Sequence, residues 1–379
     1  MKTVYEVVYN VWCFICLYTL GLFYMPIEVN RKLDWFSMVR KLDPSKDLPD
    51  DLSHLSVIMT GGSRGIGWEA AKMLLLRGAH VIIASSVSEG KDMKDLKDKL
   101  VHRLKESKRE LPVQDSEQDH QVIDKRDCLE ERLDCWHLDL SSFSSLISFV
   151  RKFFSSGRHL NILINNAGQM YSPFRVTKDG YESHWEINYL SHCLLVALLL
   201  PKLEETARTC LIKSRIINVA SSTHFARNLS LSDVNGFLLY SPYHAYAQSK
   251  LAQIMFTYKL HEILLKKSDC SQVTVNCVHP GVAKTELYEN VWWVKTFPWL
   301  ADLLFRVSSL LVVLKQAFKK FARRHAMPIL SPLIISVSSV FSTNNFSHDS
   351  ILSFHSSSSS FLMIILPPSS TLIITGRNV

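Results

Sequence analysis

The 379-residue sequence lacks a patterned set of cysteines. Most of its eight cysteines are scattered without the spacing of metal ligands. Only Cys13 and Cys16 form a C-x-x-C pair, and this pair lies inside an apolar run rather than after a strand. The pattern argues against a disulfide framework, and it favours a reducing compartment. We therefore predict no metal site.

The chain also lacks a basic block interleaved with aromatic residues. Its net charge of +8 is spread widely along the sequence, and such a distribution does not favour a nucleic acid as partner. A mildly basic protein beside an anionic membrane surface fits the same charge. Because 47% of the residues are hydrophobic, the chain can bury a substantial core.

A long uncharged run lies near the N-terminus. Residues 7–25 read VVYNVWCFICLYTLGLFYM, close to the roughly 20 residues that a helix needs to cross a bilayer. The sequence that follows lacks a small-x-small cleavage site, which favours a membrane anchor over residues 1–28. A cleaved signal peptide and a buried core helix are the alternatives. Basic residues at 31, 32, 40 and 41 follow the run, which predicts that the rest of the chain lies in the cytosol.

Six short apolar segments predict strands, and helical segments alternate with them. The six are LSVIMT, AHVIIA, LDCWHL, LNILIN, RIINVA and VTVNCV. This alternation is typical of an α/β fold in which a doubly wound parallel sheet carries helices on both faces. Residues 86–132 interrupt the rhythm. Their first half predicts a charged helix and the remainder a solvated loop, which together we interpret as a surface insertion.

The segment TGGSRGIG, residues 60–67, lies between the first strand and the first helix of this pattern. Gly61, Gly65 and Gly67 allow a tight turn and a close approach to a pyrophosphate, which the amides of the following helix would also face. The spacing is Gly-x-x-x-Gly-x-Gly, not Gly-x-Gly-x-x-Gly. Because it is flanked by a strand and a helix, the turn predicts dinucleotide binding.

Polar motifs follow three later strands. INNAG, INVASS and HPGVAKT end the fourth, fifth and sixth strands, at the edge where open α/β sheets bind ligands. The segment HAYAQSKLA places Tyr246 and Lys250 one helical turn apart. A cation held close to a phenol favours the phenolate, whose pKa is otherwise near 10. In this order the motifs resemble the short-chain dehydrogenase/reductase family, in its retinol-dehydrogenase-like branch, over residues 53–305.

The resemblance implies a Rossmann fold and a set of site residues. Tyr246 matches the proton donor and acceptor, and Lys250 matches the lysine that lowers the tyrosine's pKa and holds the nicotinamide ribose. Ser221 matches the serine that hydrogen-bonds the reacting oxygen, and Asn188 the asparagine that supports a water-mediated proton path. Besides Tyr246 and Lys250, the expected cofactor contacts are Gly61, Ser63, Arg64, Gly65, Ile66, Gly67, Ser85, Asp139, Asn166, Ala167, Gly168, Pro280, Gly281, Val282 and Thr285.

The role of one of these residues and the identity of the cofactor each have an alternative. Asp139 matches an aspartate near the adenine, but a helix N-cap is an equal interpretation. Ser85 and Ser86 stand where a carboxylate would bind the ribose hydroxyls of NAD, and Arg64 could pair with a 2′-phosphate. The sequence therefore favours NADP(H), with NAD(H) as the alternative. Asn165 is expected to brace the strands rather than to touch the substrate.

The substrate class is indicated by residues 286–305, which are rich in Trp and Leu. In the family this segment covers the substrate, although a helix that merely packs on the core is an equal interpretation. Together with the predicted anchor, it favours a lipophilic alcohol or its aldehyde or ketone, of the polyprenol, retinol or sterol class. We expect the endoplasmic reticulum membrane with a cytosolic catalytic domain; the lipid droplet and secretion are alternatives. A homo-oligomer is left open.

The resemblance ends near residue 305. The expected organisation is an anchor at 1–28, a linker at 29–52, a single Rossmann domain at 53–305 and a divergent tail at 306–379. Residues 306–325 predict a basic amphipathic helix, and 327–379 are expected to be poorly ordered. Because the family's seventh strand is not recognisable, the alternative function is a catalytically impaired isoform that acts by binding a cofactor or a partner.

Overall fold

The computed structural model describes residues 4–16, 49, 51–109, 129–226, 229–267, 272–280 and 296. Its strands are β1 (Ser56–Thr60), β2 (His80–Ser85), β3 (Leu133–His137), β4 (Ile162–Asn165), β5 (Ser214–Val219) and β6 (Val273–Val278). Its helices are α1 (Val4–Cys16), α2 (Gly65–Leu76), α3 (Lys91–Arg109), α4 (Leu129–Arg132), α5 (Phe143–Ser155), α6 (Ser183–Cys210) and α7 (Pro242–Lys267). The six strand segments predicted from the sequence are all confirmed.

The strands form one parallel sheet in the order β3-β2-β1-β4-β5-β6. The chain builds outward from β1 to β3, then crosses back to place β4 on the other side of β1. Thr60 pairs with Asn165 at the carboxyl end of this central pair. Neighbouring strands whose connections run in opposite directions leave a crevice at that edge. The predicted doubly wound α/β fold is confirmed, and it places the glycine turn and the INNAG segment on the two sides of the crevice.

Two apolar layers cover the sheet, because successive residues of a strand point to opposite faces. Ile58 and Ile82 pack into the layer beneath α5, α6 and α7. Their neighbours Val57 and Ile83 pack into the other layer, with Trp68 of α2. Strands buried on both faces read as continuous apolar runs, which is why the sequence identified them readily.

The charged helix predicted at the start of residues 86–132 is present as α3. However, its Leu100 and Leu104 are fully buried in the core, and the Arg103 guanidinium lies 4.7 Å from the centroid of the Trp68 ring. The burial of each leucine side chain contributes on the order of 1.5–3 kcal/mol to the stability of the fold. This half is therefore the crossover helix between β2 and β3, and the interpretation as a surface insertion is wrong for it. Residues 110–128 lie outside the described part.

Within the described part, α6 is long and apolar enough to cross a membrane. Because 72% of its most apolar window is buried inside the protein, α6 is a core helix of the domain. The N-terminal helix α1 is apolar but shorter. The anchor at 1–28 stays a prediction, since residues 17–28 are outside the described part. The remainder of the linker up to residue 48, residues 286–295 and 297–305 of the substrate-covering segment and the tail from 306 are also outside it.

Candidate active site

The glycine turn between β1 and α2 packs directly against the loop that follows β4. Gly61 has φ +64°, and a Cβ atom on it would lie 2.8 Å from the Ala167 Cα. A Cβ on Gly67 would overlap the Gly61 carbonyl oxygen and the Asn166 side chain. Both positions therefore require glycine. The side chain of Arg64, the N-cap residue, makes no capping hydrogen bond to α2. Because the first N–H groups of a helix have no partner within the helix, this end of α2 is suited to binding an anion.

A cleft of about 470 Å³ lies between the glycine turn and the loops after β2, β3 and β4. Eleven of the residues predicted to contact the cofactor line it: Gly61, Ser63, Arg64, Gly65, Ile66, Gly67, Ser85, Asp139, Asn166, Ala167 and Gly168. It is also lined by Ala84, Ser86, Leu138, Leu140, Ser141, Gln169, Arg175 and Ile187. Most of these adjoin a recognised motif. Arg175 adjoins none, so no local signal could have identified it.

The cleft has the donor set that a dinucleotide requires. The glycine cradle leaves room for a pyrophosphate, and Arg64 and Arg175, whose side chains can pair with a phosphate, are among the lining residues. Asp139 accepts hydrogen bonds from the Ser141 amide at 2.9 Å and the Ser141 hydroxyl at 2.7 Å. The N-cap of α5 is Ser142, so the interpretation of Asp139 as that N-cap is wrong. The residues present fit a nicotinamide dinucleotide.

Helix α7 carries Tyr246 and Lys250 in the interior, where they are 3% and 4% exposed. The Lys250 ammonium donates to the Val219 carbonyl at 2.8 Å and to Gln253 Oε1 at 3.3 Å. It lies 6.0 Å from the centroid of the Tyr246 ring, so the two side chains share one side of the helix. Burial lowers the pKa of Lys250 to about 8. At pH 7 the lysine therefore still carries its charge beside the phenol.

Ser221 lies between the end of β5 and a short 3-10 turn, Ser222–Ala226. Its side chain is half-buried, and its hydroxyl accepts a hydrogen bond from the Thr223 amide at 3.3 Å. Its carbonyl oxygen accepts a hydrogen bond from His224 Nδ1 at 2.6 Å. The turn thus fixes the serine at the carboxyl edge of the sheet, the same edge as the cleft.

Asn188 lies in a π-helical turn, Glu186–Leu190, within α6, and it is fully buried. Such turns place one extra residue in a helix and recur at functional sites. Its amide accepts from the Gln169 N–H at 2.9 Å and donates to the Gln169 carbonyl and the Ser249 hydroxyl, both at 3.0 Å. A Cβ on Gly168 would meet the Asn188 Oδ1 at 3.0 Å and the Lys250 Nζ at 3.7 Å. The asparagine, the lysine and the INNAG loop therefore converge.

A buried histidine that the sequence reading missed supports this convergence. His192 Nε2 lies 3.0 Å from the Thr60 hydroxyl, and His192 Nδ1 lies 3.1 Å from the Asn188 carbonyl. The Thr60 hydroxyl also accepts the amides of Asn166 and Ala167, both at 3.0 Å. The only sequence signal was a histidine one turn beyond Asn188.

Tyr246 and Lys250, which the sequence also predicted as cofactor contacts, are not among the residues that line the cleft. The other predicted residues have three different outcomes. Asn165 donates to Asn218 Oδ1 at 2.8 Å and so braces β4 against β5, as predicted. Pro280 is exposed, and it is not among the residues that line the cleft. Gly281, Val282 and Thr285 lie outside the described residues.

A doubly wound sheet, a glycine cradle at its switch point and a buried Tyr–Lys pair near it are the features expected of a short-chain oxidoreductase. A sequence model of the short chain dehydrogenase family matches residues 98–293. The chain belongs to this family, and the named relatives place it in the retinol-dehydrogenase-like branch.

Three relatives show how far the similarity reaches. Human polyprenol dehydrogenase is 39% identical over 237 residues, which cover 62% of this chain and 63% of that protein. Short-chain dehydrogenase TIC 32 A, chloroplastic, of Brassica napus is 37% identical over 63% of this chain and 67% of its own length. Human retinol dehydrogenase 11 is 35% identical over 64% of this chain and 67% of its own length. The match spans less than two thirds of the human polyprenol dehydrogenase.

Proposed function

We propose that the protein interconverts a lipophilic alcohol and its aldehyde or ketone, with NADP(H) or NAD(H) as cofactor. The observation that carries the proposal is the buried Tyr246–Lys250 pair, whose ammonium lies next to Gly168 in the wall of the cleft. The similarity to a polyprenol dehydrogenase and a retinol dehydrogenase supports the lipophilic class.

In the proposed reaction Tyr246 handles the proton. When an alcohol is oxidised, the Tyr246 phenolate oxygen takes the proton of the substrate hydroxyl, and when a carbonyl is reduced it returns that proton. Lowering the phenol's pKa by about 3 units corresponds to roughly 4 kcal/mol, which the nearby Lys250 ammonium helps to supply. The Ser221 hydroxyl donates to the reacting oxygen. A bound nicotinamide supplies the hydride acceptor or donor.

Asn188 and Lys250 form the inner end of the proposed site. Both contact the backbone of neighbouring elements: Asn188 the loop after β4, and Lys250 the end of β5. These contacts hold the ammonium close to the phenol at a fixed place in a dry interior, where an electrostatic effect is larger than in water. Asn188 is the proposed support of the proton path from the phenol to solvent.

We propose NADP(H) as the preferred cofactor, because β2 ends at Ser85, Ser86 follows it, and neither residue presents a carboxylate to the cleft. Arg64 lines the same cleft and matches the charge of a 2′-phosphate. Asp139, which lies two residues after the end of the neighbouring strand β3, is the proposed contact to the adenosine part. NAD(H) is the alternative.

The proposed location is the endoplasmic reticulum membrane, with the Rossmann domain in the cytosol. Helix α1 supports membrane association, because its exposed residues include Val4, Val8, Val11 and Trp12. Large apolar side chains that face solvent along a whole helix mark a surface that binds a partner or a lipid bilayer.

The test is NADPH-dependent reduction of retinal, a polyprenal and a ketosteroid by membranes that contain the full chain. We expect turnover of at least one, and Tyr246→Phe to lower it by about 10²–10⁴-fold. The matched control is Tyr258→Phe, because Tyr258 lies on the same helix but is 59% exposed. Full activity of Tyr246→Phe would overturn the mechanism. Tight NADPH binding without any turnover would favour the catalytically impaired isoform.

A further inference from the structure

We propose that Phe14, Tyr243 and Tyr171 form one wall of the passage by which the hydrocarbon part of the substrate reaches Tyr246. Helix α1 would then be part of the substrate site as well as a predicted membrane element. The inference rests on the proposed function, and it assigns the substrate a long unsaturated or aliphatic chain.

Four aromatic rings run from α1 to the candidate catalytic tyrosine. The centroids of the Phe14 and Tyr243 rings are 5.7 Å apart, those of Tyr243 and Tyr171 are 4.8 Å apart, and those of Tyr171 and Tyr246 are 5.4 Å apart. Two of the three contacts are edge-to-face. Rings at these distances form a continuous apolar surface.

The burial of these rings changes along the row. Tyr246 is buried, whereas Tyr171, Tyr243 and Phe14 are only partly buried. The three outer rings keep accessible surface on which an apolar chain could pack. This surface leads inward to the phenol that would handle the proton.

A buried polar clamp holds Tyr171 at its place in the row. Tyr171 has φ +54°, a left-handed conformation that is strained for a bulky residue. The amide of the next residue, Ser172, donates to His184 Nε2 at 3.1 Å, and its carbonyl accepts from the Tyr240 hydroxyl at 2.7 Å. Because Nε2 accepts, the His184 proton lies on Nδ1, which donates to Glu182 at 2.8 Å. Strain that is held by such a clamp is a feature of functional sites.

Helix α1 is attached to the segment that supplies this clamp. Tyr9 Oη lies 2.5 Å from His244 Nδ1, and the Asn10 amide donates to the Tyr240 carbonyl at 3.4 Å. These polar contacts fix the inner face of α1 and bring Phe14 to Tyr243. The opposite face exposes Trp12, which is 58% exposed. A chain that leaves a bilayer along α1 would therefore meet the ring of Phe14 before those of Tyr243 and Tyr171.

The experiment compares hexanal with geranylgeranial, a C20 isoprenoid aldehyde, as substrates of the full chain in lipid nanodiscs. In Phe14→Ala and Tyr171→Asn, the ratio of kcat/KM for the C20 over the C6 substrate should fall at least tenfold, with the loss mainly in KM for the C20 aldehyde. Asparagine is chosen because it tolerates φ above zero. The matched control is Tyr258→Ala, an aromatic residue of α7 that is 59% exposed and lies outside the row of rings, and it should keep the wild-type ratio. An unchanged ratio in both passage variants would overturn the proposal.

A second measurement separates failure of this proposal from failure of the proposed function. If the wild-type chain reduces neither aldehyde, the full chain is photolabelled with a C20 isoprenoid alcohol that carries a diazirine on its chain. Label on the peptides that contain Phe14, Tyr171 or Tyr243, competed by unlabelled geranylgeraniol, would support the passage even without turnover. Competed label found only on other peptides, or no competed label, would overturn it.

Discussion

The His192 imidazole lies 3.0 Å from the Thr60 hydroxyl, and the hydrogen bonds around this pair determine which histidine nitrogen carries the proton. The Thr60 oxygen accepts the amides of Asn166 and Ala167 at 3.0 Å. Its own hydrogen therefore points to His192 Nε2, since the other acceptor, the Ile164 carbonyl, is 3.5 Å away. The His192 proton must then lie on Nδ1, which donates to the Asn188 carbonyl. Burial lowers the pKa of His192 to about 4, so the ring is neutral at physiological pH.

We expect His192→Leu to impair turnover, because it removes the link between the end of β1 and the turn that carries Asn188. The variant leaves the Asn188 carbonyl and the Thr60 hydroxyl without this partner, at a cost of about 1–3 kcal/mol for each buried group left unpaired. In His192→Leu the kcat should fall at least tenfold and its pH profile should shift. His192→Gln, whose amide can both donate and accept a hydrogen bond, should recover part of the lost kcat. The pH dependence of kcat for both variants is the measurement. A wild-type profile in His192→Leu would show that the histidine is only a core residue.

Cofactor preference should reverse when a carboxylate is placed at the end of β2. Ser85→Asp adds a negative charge to the cleft wall, which should repel a 2′-phosphate and accept hydrogen bonds from the ribose hydroxyls of NADH. Arg64→Leu should weaken NADPH binding by about 10- to 100-fold, which corresponds to roughly 1.5–3 kcal/mol for a hydrogen bond to a charged group. The dissociation constants of NADPH and NADH, measured by fluorescence, test both variants. An equal loss of affinity for the two cofactors would contradict the proposed phosphate contact.

Lys250→Met should abolish activity but also change how stability depends on pH. Burial lowers the pKa of Lys250 from 10.5 to about 8. Between these two values the unfolded chain binds more protons than the folded one, so the free energy of unfolding of the wild type rises with pH over that window. Lys250→Met lacks this contribution, so its free energy of unfolding should rise less between pH 8 and 10 than that of the wild type. Urea unfolding of the two proteins over this range measures the difference. Parallel pH curves would show that the lysine charge is not held in a dry interior.

Glu186, at the start of the π-helical turn, makes stability depend on pH in the opposite direction to Lys250. Burial and the neighbouring Asp179 carboxylate raise its pKa from 4.5 to about 8, although a hydrogen bond from Thr177 acts against them. Between these values the folded chain binds more protons, so this group's contribution to stability is lost as pH rises from 4.5 through 8. Glu186→Gln should therefore unfold at a higher temperature than the wild type at pH 8 and differ little at pH 5. Thermal unfolding at both pH values is the measurement. If the variant and the wild type differ in unfolding temperature by the same amount at both, the Glu186 carboxyl does not have the raised pKa.

Several parts of this protein were predictable because their signals are local. The alternation of apolar strands with helices gave the six strands of the sheet, and the strand-turn-helix context of residues 60–67 identified the side of the cleft that Gly61 and Gly67 build. The role of Asn165 as a brace was also predictable, because it stands inside a strand rather than after it. Other parts were not predictable. Arg175 reaches the cleft from a loop without a motif, and α3 was misread because its many charges conceal the buried face that carries Leu100.

The amino-acid sequence by itself determined the order of the elements, the glycine cradle and the spacing of Tyr246 and Lys250 on one helix. These properties depend on hydrophobic period, turn chemistry and helical geometry within a few residues. Only the tertiary structure decided that Thr60, Asn188 and His192 form one network, that Phe14 lies on Tyr243, and that burial brings the pKa of Lys250 to about 8. Proximity between residues far apart in the chain and the loss of water around a charge arise only when the elements pack together.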